Sequence, residues 1–462
     1  TDVDIAILMY CSLVSNNDLV DLTSMVEQPL TEYGETRSIK DKMFDEYKNF
    51  LTVNNKIYAI PHYDSSYALY YDTEMFNFYG FYLKGDGSEK QYALKNGFSY
   101  EFTNSEGQLS SGPNGVVGDY DDGLPATYEQ FYALCDKMQS KRVTPFSYSG
   151  SYSFYLTRFL QTLASNEMGE EAPLFFNFNG STKNYVESFD ANGKPVLKDE
   201  VITEETGYKA FHLAGKYYAL DFISNLVKNN WINTRSFSTY SHLDAQQDFI
   251  KGSYKSNYTQ SVDKFGILCE GTWWSNESKN FYNEMAEDKY GNGALESNRK
   301  ISIMPLPHYS EKDIGKKTTL LCDANLSLSF ISASIPQYKL DIAKKFLQFC
   351  NTDESLSEFT SLTNCLKGLD YTISPNDYAK MSFYGKSLVS YRNDCNITYP
   401  FSTSRVYKNY ASSFMLDELW QSVISNKVTR NPGSYFHDNS GKTAIDYFNG
   451  MKANYTQSTW KN

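Results

Sequence analysis

The stretch NKIYAIPHYDSSYALYYDTEMF, residues 55–76, carries much of the information about the fold. Residues 56–61 (KIYAIP) and 67–71 (YALYY) are short apolar segments rich in aromatic residues, which is typical of strands. The polar residues around Asp64 predict a turn that joins the two segments. Thr73–Phe78 has the pattern of a short helix. This stretch therefore predicts a hairpin of two strands followed by a helix.

Strand-like and helix-like segments alternate along the rest of the chain, which favours an α/β architecture with mixed sheets. Thr127 can cap a helix that begins at Tyr128 and carries apolar residues on one face. The other predicted helices are 208–229, 245–251, 340–350 and 413–424, and the other predicted strands are 4–9, 265–269, 301–304 and 326–332.

Length, charge and composition limit the possible functions. A chain of 462 residues is about three times the common domain size, so we expect two or more large lobes. A net charge of -12 opposes binding to nucleic acid or to an anionic membrane surface and favours an uncharged or cationic ligand. The 39 tyrosines suit stacking on sugars, although they suit a core equally well.

The seven cysteines form no CxxC pair, so the sequence predicts no zinc or redox motif. An odd number also argues against a complete disulfide framework, which an extracytoplasmic protein would usually have unless its thiols stay reduced. No run of 18 apolar residues and no signal segment is visible. Because residues 1–11 open directly in strand-like alternation, we expect a leader and the first strand and helix to precede them.

Residues 84–123 are rich in Gly, Ser, Asn and Asp and read as a surface insertion. The insertion ends in Asp119-Tyr120-Asp121-Asp122-Gly123, which invites a calcium hypothesis. The spacing lacks the third ligand position and the distal Glu of the twelve-residue calcium loop. The sequence therefore predicts neither metal nor cofactor, and whether the insertion binds an ion stays open.

Five segments, in order, resemble the extracellular solute-binding proteins of sugar ABC importers, the family that includes maltose-binding protein. Each is weak alone, and their order over about two thirds of the chain makes the resemblance. Asp72 stands where the family commonly has Asn, and the insertion is longer than usual. The segments are 55–76, Pro125–Phe131, Phe249–Gly252 with Gly266–Trp273, Met304–Pro307, and Ile331–Ser332 with 343–354.

This resemblance implies a type II periplasmic-binding-protein-like α/β fold, with two lobes of mixed sheets joined by a hinge. The N-terminal lobe would comprise residues 1–124 and 318–360, and the C-terminal lobe residues 125–317 and 361–462. The implied function is an extracytoplasmic receptor, lipid-anchored or periplasmic, which closes on a mono- or oligosaccharide and delivers it to the permease subunits of an ABC importer. The implied receptor is a monomer and catalyses no reaction.

Sugars present apolar C–H faces and hydroxyls, so their sites combine aromatic platforms with carboxylates and amides. Trp273 follows a strand at the Gly-x-Trp position, where the family places a stacking aromatic. Trp274 is a second candidate, which could equally pack in the core. Tyr63, Asp64 and Tyr67 lie in the turn after a strand, where Asp64 could equally serve the turn itself. The remaining candidates are Tyr152, Tyr155, Asn325 and Asn364, of which the two asparagines could equally be turn formers.

Three other functions compete with this one. A glycosidase would use two carboxylates, but the acidic pairs of the chain resemble solvated surface runs, and no G-x-S-x-G, H-E-x-x-H or P-loop motif is present. A surface glycan-binding protein without a permease, or a receptor for a solute other than a sugar, fits the same sequence. The residues alone leave both of these functions open.

Overall fold

The computed structural model describes residues 10, 12–85, 100–152, 154–322, 327–401 and 431–460. The predicted strand 4–9, the predicted helix 413–424 and the candidate Asn325 lie outside the described residues. So does most of the first half of the predicted insertion.

Contacts along the chain define two compact units. The first comprises Thr1–Ser66, Cys322–Met381 and Tyr399–Met415, and the second Tyr67–Leu321, Ser382–Thr398 and Leu416–Asn462. Residues 67–124 belong to the second unit, whereas the predicted N-terminal lobe contained them. The reason is that the strand Tyr67–Asp72 pairs with strands of the second unit.

A mixed sheet of four strands forms the centre of the second unit. Its order is Ile301–Met304, Tyr67–Asp72, Phe265–Gly271 and Thr144–Ser147, with the last pair parallel and the other two antiparallel. Every residue of the two central strands is buried. Strands covered on both faces read as continuous apolar runs, which explains the sequence YALYY.

The predicted hairpin of residues 56–61 and 67–71 is wrong, although both segments form strands. Ala59–Pro61 pairs antiparallel with Leu328–Phe330 in the first unit. Tyr67–Asp72 takes both of its partners in the central sheet of the second unit. The apolar pattern determines that each segment is a buried strand, but it does not determine which strand it pairs with.

In the first unit, the pair Ala59–Pro61 and Leu328–Phe330 accompanies the small antiparallel pair Thr52–Val53 and Lys56–Ile57. A core of apolar side chains, including Leu22, Val26 and Phe50, lies beneath the helices. Helices in the described part of this unit include Thr23–Glu27, Ile39–Lys42, Asp45–Leu51, Gln337–Phe349, Asp353–Thr363 and Pro375–Lys380.

The predicted helix after Thr127 is confirmed as Tyr128–Ser140, and the Thr127 hydroxyl accepts a hydrogen bond from the Gln130 N–H. The other α-helices in the described part of the second unit are Thr73–Tyr79, Phe154–Met168, Leu174–Asn177, Ala214–Lys228, His242–Gly252, Trp274–Glu277, Lys279–Met285, Phe383–Asp394, Pro432–Asp438 and Ala444–Asn454. Its remaining strand pairs are Tyr82–Leu83 with Phe102–Thr103, Gly180–Phe189 with Pro195–Ile202, and Thr319–Leu321 with Asn396–Thr398.

A buried ion pair links the strand Tyr67–Asp72 to the segment before the strand Ile301–Met304. Arg299 Nη2 lies 2.8 Å from Asp72 Oδ2, and both side chains are 1% exposed. The same guanidinium donates to the carbonyl of Ile250 and to the hydroxyl of Ser253, each at 2.8 Å. Asp72 Oδ1 meanwhile accepts the N–H groups of Glu74 and Met75 and caps the helix Thr73–Tyr79. The ion pair with Arg299 therefore requires a charged carboxylate at position 72, which an asparagine would not provide.

Among the cysteines that the structure describes, Cys135, Cys269, Cys350 and Cys395 are free thiols. Cys135, Cys269 and Cys322 are fully buried, and burial raises the pKa of Cys135 and Cys269 well above the ordinary value. Within the described ranges, every helix is too short or too polar to cross a membrane.

Candidate functional site

Trp273 lies directly beyond the end of the central strand Phe265–Gly271. Its backbone caps the short helix Trp274–Glu277. The indole packs directly on the strand end, and a Cβ added at Gly271 would lie only 2.2 Å from the indole Cη2. The glycine of the Gly-x-Trp pattern thus has a packing reason: only a residue without a side chain lets the ring approach the strand this closely.

Trp274 is completely buried and anchors this segment from below. The Tyr384 hydroxyl, 2.6 Å from the Thr272 carbonyl, ties down the backbone next to it. Because Trp274 presents no exposed surface, we leave it out of the proposed site. The indole of Trp274 packs against Tyr70, Phe249, Tyr282 and Tyr384.

Four predicted binding residues meet in the second unit. The ring of Tyr67 meets Trp273 edge-on at a centroid distance of 5.4 Å, and Tyr155 lies 6.4 Å from Trp273. Tyr152 lies 6.4 Å from Tyr155 and is 45% exposed. Tyr67 and Tyr155 are buried, whereas Trp273 is half-buried. We call Tyr67, Tyr152, Tyr155 and Trp273 the aromatic cluster.

Carboxyl and amide groups border the aromatic cluster. The Trp273 indole N–H donates to Glu277 Oε1 at 3.0 Å, and Gln246 Nε2 donates to Glu277 Oε2 at 2.8 Å. The same Gln246 amide lies 3.4 Å from Glu270 Oε2. Glu270 is fully buried, and burial raises its pKa well above the ordinary value, while the Gly271 N–H bonded to its Oε1 opposes that rise.

The imidazole of His242 completes this arrangement. It stacks on Tyr155 with an interplanar angle of 15° and meets Tyr152 edge-on at 5.4 Å. Burial, followed by the nearby Glu270 and Glu277 carboxyl groups, raises the pKa of Tyr155, so its hydroxyl stays protonated and can donate. The site thus offers flat apolar rings beside hydrogen-bonding groups of both kinds.

Sequence reasoning missed Glu270, Glu277, Gln246 and His242. One signal was available for Glu277, because it follows Trp273 by four residues and a helix brings such residues together. Gln246 and His242 lie on the helix His242–Gly252, which packs on the strand Phe265–Gly271 through tertiary contacts. Nothing local connects these two residues with Trp273.

The first unit holds Tyr63 and Asp64, in the loop after the strand Ala59–Pro61. Asp64 is nearly buried, and its Oδ2 accepts from the Tyr399 hydroxyl at 2.9 Å. The Asp64 N–H donates to the Leu366 carbonyl at 2.7 Å. Tyr63 is half-buried and meets the His62 ring edge-on at 5.8 Å. This carboxylate thus accepts a hydrogen bond from another segment of the first unit.

Asn364 adopts a left-handed conformation, with φ of 54°, and ends the helix Asp353–Thr363. Asn364 therefore acts as a turn former, and its role in binding a sugar stays a prediction. Lys367, nearby, is nearly buried: its ammonium lies 4.3 Å from the Phe359 ring centroid and 3.5 Å from His62 Nδ1. Burial lowers the pKa of Lys367 to about 8, and burial followed by Lys367 lowers the pKa of His62.

A separate cavity of about 580 Å³ lies in the second unit, and Glu167, Tyr218, His308, Tyr309 and Lys316 are among the residues that line it. Glu167 Oε1 accepts the Tyr309 N–H at 2.8 Å. Burial raises the pKa of Glu167 to about 8, against the opposing effect of hydrogen bonds from Tyr309 and Tyr128. This pKa favours the protonated form of Glu167 in the folded protein at neutral pH.

We expect this proton to make stability depend on pH. An unfolded Glu titrates near pH 4.3, so between about pH 4.3 and 8 the folded state holds one proton more than the unfolded state. The free energy of unfolding should fall as pH rises through this window, by at most about 1.4 kcal/mol per pH unit from this group. Glu167→Gln should flatten that slope, measured by guanidinium denaturation at pH 5 to 8.

The exposed neighbour Glu170 provides the control for this prediction. Glu170→Gln should leave the slope as in the unchanged protein. An unaltered slope in folded Glu167→Gln would contradict the assignment of the proton to Glu167.

The sequence matches no protein-family model and no curated protein sequence. Solved structures do match it. A chitin oligosaccharide binding protein is 12% identical, with a TM-score of 0.50 over 96% of this chain and 82% of that one. A probable secreted solute-binding lipoprotein from Streptomyces coelicolor is 9% identical, with a TM-score of 0.51 over 96% of this chain and 81% of that one.

A third match is a mannobiose complex of the binding protein of an ABC transporter from Bifidobacterium animalis subsp. lactis. It is 11% identical, with a TM-score of 0.52 over 97% of this chain and 78% of that one. The predicted α/β class with mixed sheets is confirmed. Likeness at these identities establishes the fold, and this chain has the α/β fold of the solute-binding proteins that serve ABC transporters.

Proposed function

We propose that this protein is an extracytoplasmic receptor that binds a carbohydrate and delivers it to the permease subunits of an ABC importer. The observation that carries the proposal is the aromatic cluster of the second unit, with Trp273 supported by the Glu277 carboxylate. Aromatic rings flanked by carboxyl and amide groups match the C–H faces and hydroxyls of a sugar. The names of the structural neighbours, which include binders of chitin oligosaccharide and mannobiose, support the same ligand class.

Trp273 and Tyr152 are the surfaces that we propose for stacking, because both keep part of their side chain exposed. Glu277 is the proposed acceptor for sugar hydroxyls, since its carboxylate is exposed and already oriented by Gln246 and Trp273. In the first unit we propose Tyr63, Asp64 and Asn364 as contacts. The closure of two lobes over the sugar stays a prediction from the family resemblance.

We propose that the protein does not hydrolyse its ligand. Glu270 and Glu277 are carboxyl groups that border the aromatic cluster, and a glycosidase would need a sugar bond between such a pair. Here the Gln246 amide lies between them, at 3.4 Å from one carboxyl group and 2.8 Å from the other. The space that a scissile bond would need is therefore filled by a side chain.

A thermal-shift screen with neutral mono- and oligosaccharides tests the proposal. A ligand that binds only the folded protein stabilises it by about 2.7 kcal/mol at a concentration of about 100 times Kd. We expect at least one neutral saccharide to raise Tm and to bind at one site by calorimetry, with its chain length unchanged on chromatography afterwards. Shortened saccharide, or a response to amino acids or peptides instead of saccharides, would overturn the proposal.

Coupling to transport needs its own measurement. Purified receptor, loaded with the saccharide found in the screen, should stimulate ATP hydrolysis by the cognate permease in proteoliposomes. A receptor that binds sugar tightly but leaves every permease of its own organism unstimulated would instead be a surface glycan-binding protein.

A further inference from the structure

Two acidic side chains border the aromatic cluster. Glu277 Oε1 accepts the indole N–H of Trp273 at 3.0 Å. Glu270 lies in the strand Phe265–Gly271, just before Trp273 in the chain. After burial, these two carboxyl groups are the next largest influences that raise the pKa of Tyr155, so both act on the rings of the cluster. The rings of the proposed carbohydrate site therefore stand in a negative electrostatic environment.

The two acids differ in their charge. Glu270 is fully buried, and burial is the main cause that raises its pKa well above the ordinary value, with the Glu277 carboxylate adding to the rise. The protonated, neutral form of Glu270 is therefore favoured. Glu277 is exposed to solvent, where a glutamate carries a negative charge at neutral pH. The negative charge at the edge of the aromatic cluster is thus that of Glu277.

Within the described ranges, no basic side chain forms an ion pair with Glu277. Its hydrogen-bond partners are the indole N–H of Trp273 and the side-chain amide of Gln246, and both of these groups are neutral. Elsewhere in the second unit a carboxylate can have a basic partner, as Glu200 has in Lys209 at 3.0 Å. The charge of Glu277 is therefore available to a ligand.

The rings beside Glu277 favour a cation for a second reason. The face of an indole or phenol ring attracts an ammonium group that lies within about 6 Å of the ring centre. Trp273 is half-buried and Tyr152 is 45% exposed, so a ligand can reach part of each ring. A carboxylate beside accessible aromatic rings stabilises a positively charged group through both kinds of interaction.

We propose that this site prefers a sugar that carries a protonated amino group over the matching neutral sugar. The inference rests on the proposed function, since it takes the aromatic cluster as the carbohydrate site. The ammonium group would donate to the Glu277 carboxylate and lie near the indole of Trp273, whose N–H is bonded to the same carboxylate. The apolar C–H face of the same sugar would stack on an exposed ring.

The charge of the sugar decides how well it replaces water at Glu277. A neutral sugar that covers this carboxylate removes water from a charge and returns no opposite charge, which costs free energy. An ammonium group returns the opposite charge, and two opposite charges about 4 Å apart attract each other even near a protein surface. An acidic sugar would bring a like charge, and the net charge of -12 of the chain would add to the repulsion. The expected order of affinity is therefore amino sugar, then neutral sugar, then acidic sugar.

Calorimetry of the full chain with matched sugars tests this order. The sugars are glucosamine, galactosamine and mannosamine, their neutral parents and the corresponding uronates, together with the disaccharides of glucosamine and of N-acetylglucosamine. At about pH 6 and low salt, we expect at least one amino sugar to bind about tenfold or more tightly than its neutral counterpart, and the uronate to bind more weakly than both. This advantage should shrink at about 0.5 M salt, because salt screens the charge of an exposed group.

Glu277→Gln removes the charge and keeps the size of the side chain, so the ratio of the affinities for amino and neutral sugar should fall to about one. Glu284→Gln removes an exposed charge from the helix Lys279–Met285 and should leave that ratio unchanged. The salt dependence tests the same charge in the unchanged protein if Glu277→Gln fails to fold.

The failure of this inference and the failure of the proposed function give different results. Equal affinity for every amino sugar and its neutral counterpart, or an undiminished ratio in folded Glu277→Gln, would overturn the inference, while neutral sugars that bind would leave the proposed function standing. Binding of spermidine without binding of any saccharide would overturn both.

Discussion

Replacing Trp273 by alanine is expected to weaken carbohydrate binding by about 1 to 3 kcal/mol, or roughly 5- to 150-fold in Kd. The ring is the half-buried member of the aromatic cluster, and its N–H is oriented by Glu277 at 3.0 Å. Removing it would take away the stacking surface and the indole donor to Glu277 Oε1, while Gln246 would still donate to Glu277 Oε2. Calorimetry with the saccharide identified by thermal shift provides the measurement.

Two further variants make this prediction specific. Trp273→Phe keeps a flat ring but removes the N–H, so its affinity should fall between those of the unchanged protein and Trp273→Ala. Tyr338→Ala removes a 77% exposed aromatic ring from the first unit and serves as the matched control. Unchanged affinity in a folded Trp273→Ala protein would remove this residue from the site.

Breaking the ion pair between Arg299 and Asp72 is expected to destabilise the protein by about 3 to 5 kcal/mol. Both side chains are 1% exposed, so the partner that remains would be a buried and uncompensated charge. Arg299→Met would leave the Asp72 charge alone, and Asp72→Asn would leave the guanidinium alone while keeping an oxygen for the helix cap. The free energy of unfolding from guanidinium denaturation measures both effects.

The double variant separates the pair from its surroundings. If the loss comes from an unpaired buried charge, Arg299→Met with Asp72→Asn should cost clearly less than the sum of the single changes. Ser241→Ala removes a solvent-exposed helix cap and should cost about 1 kcal/mol, which gives the scale of capping alone. Additive losses in the double variant would contradict the assignment to charge pairing.

The buried pair also explains a departure from the family pattern. Asp72 stands where the family that the sequence resembles commonly has Asn, and it serves two purposes here, capping a helix through Oδ1 and pairing with Arg299 through Oδ2. An asparagine could provide the first of these without the second. The substitution was visible in the sequence, but its partner lies 227 residues away along the chain.

Features that depend on neighbours within a few residues were predictable from the sequence. Thr127 caps the helix Tyr128–Ser140, and the apolar segments 301–304 and 67–71 are strands. The Gly-x-Trp pattern marked the strand end at which Trp273 lies, because the glycine reflects a close contact two residues away. In each case the deciding interaction is local, so the pattern of residue types is sufficient to indicate it.

Tertiary structure decided the partners. The strand Tyr67–Asp72 pairs with Phe265–Gly271 and Ile301–Met304 instead of forming a hairpin. A strand that is buried on both faces is stabilised by any apolar neighbouring strand, so its local sequence does not select the partner. The same packing brings Tyr67, Tyr155 and Trp273 together and places Gln246 between two carboxyl groups. The sequence alone thus determined local features such as the helix cap and the strand segments, whereas the chemistry of the sites depends on contacts between distant segments.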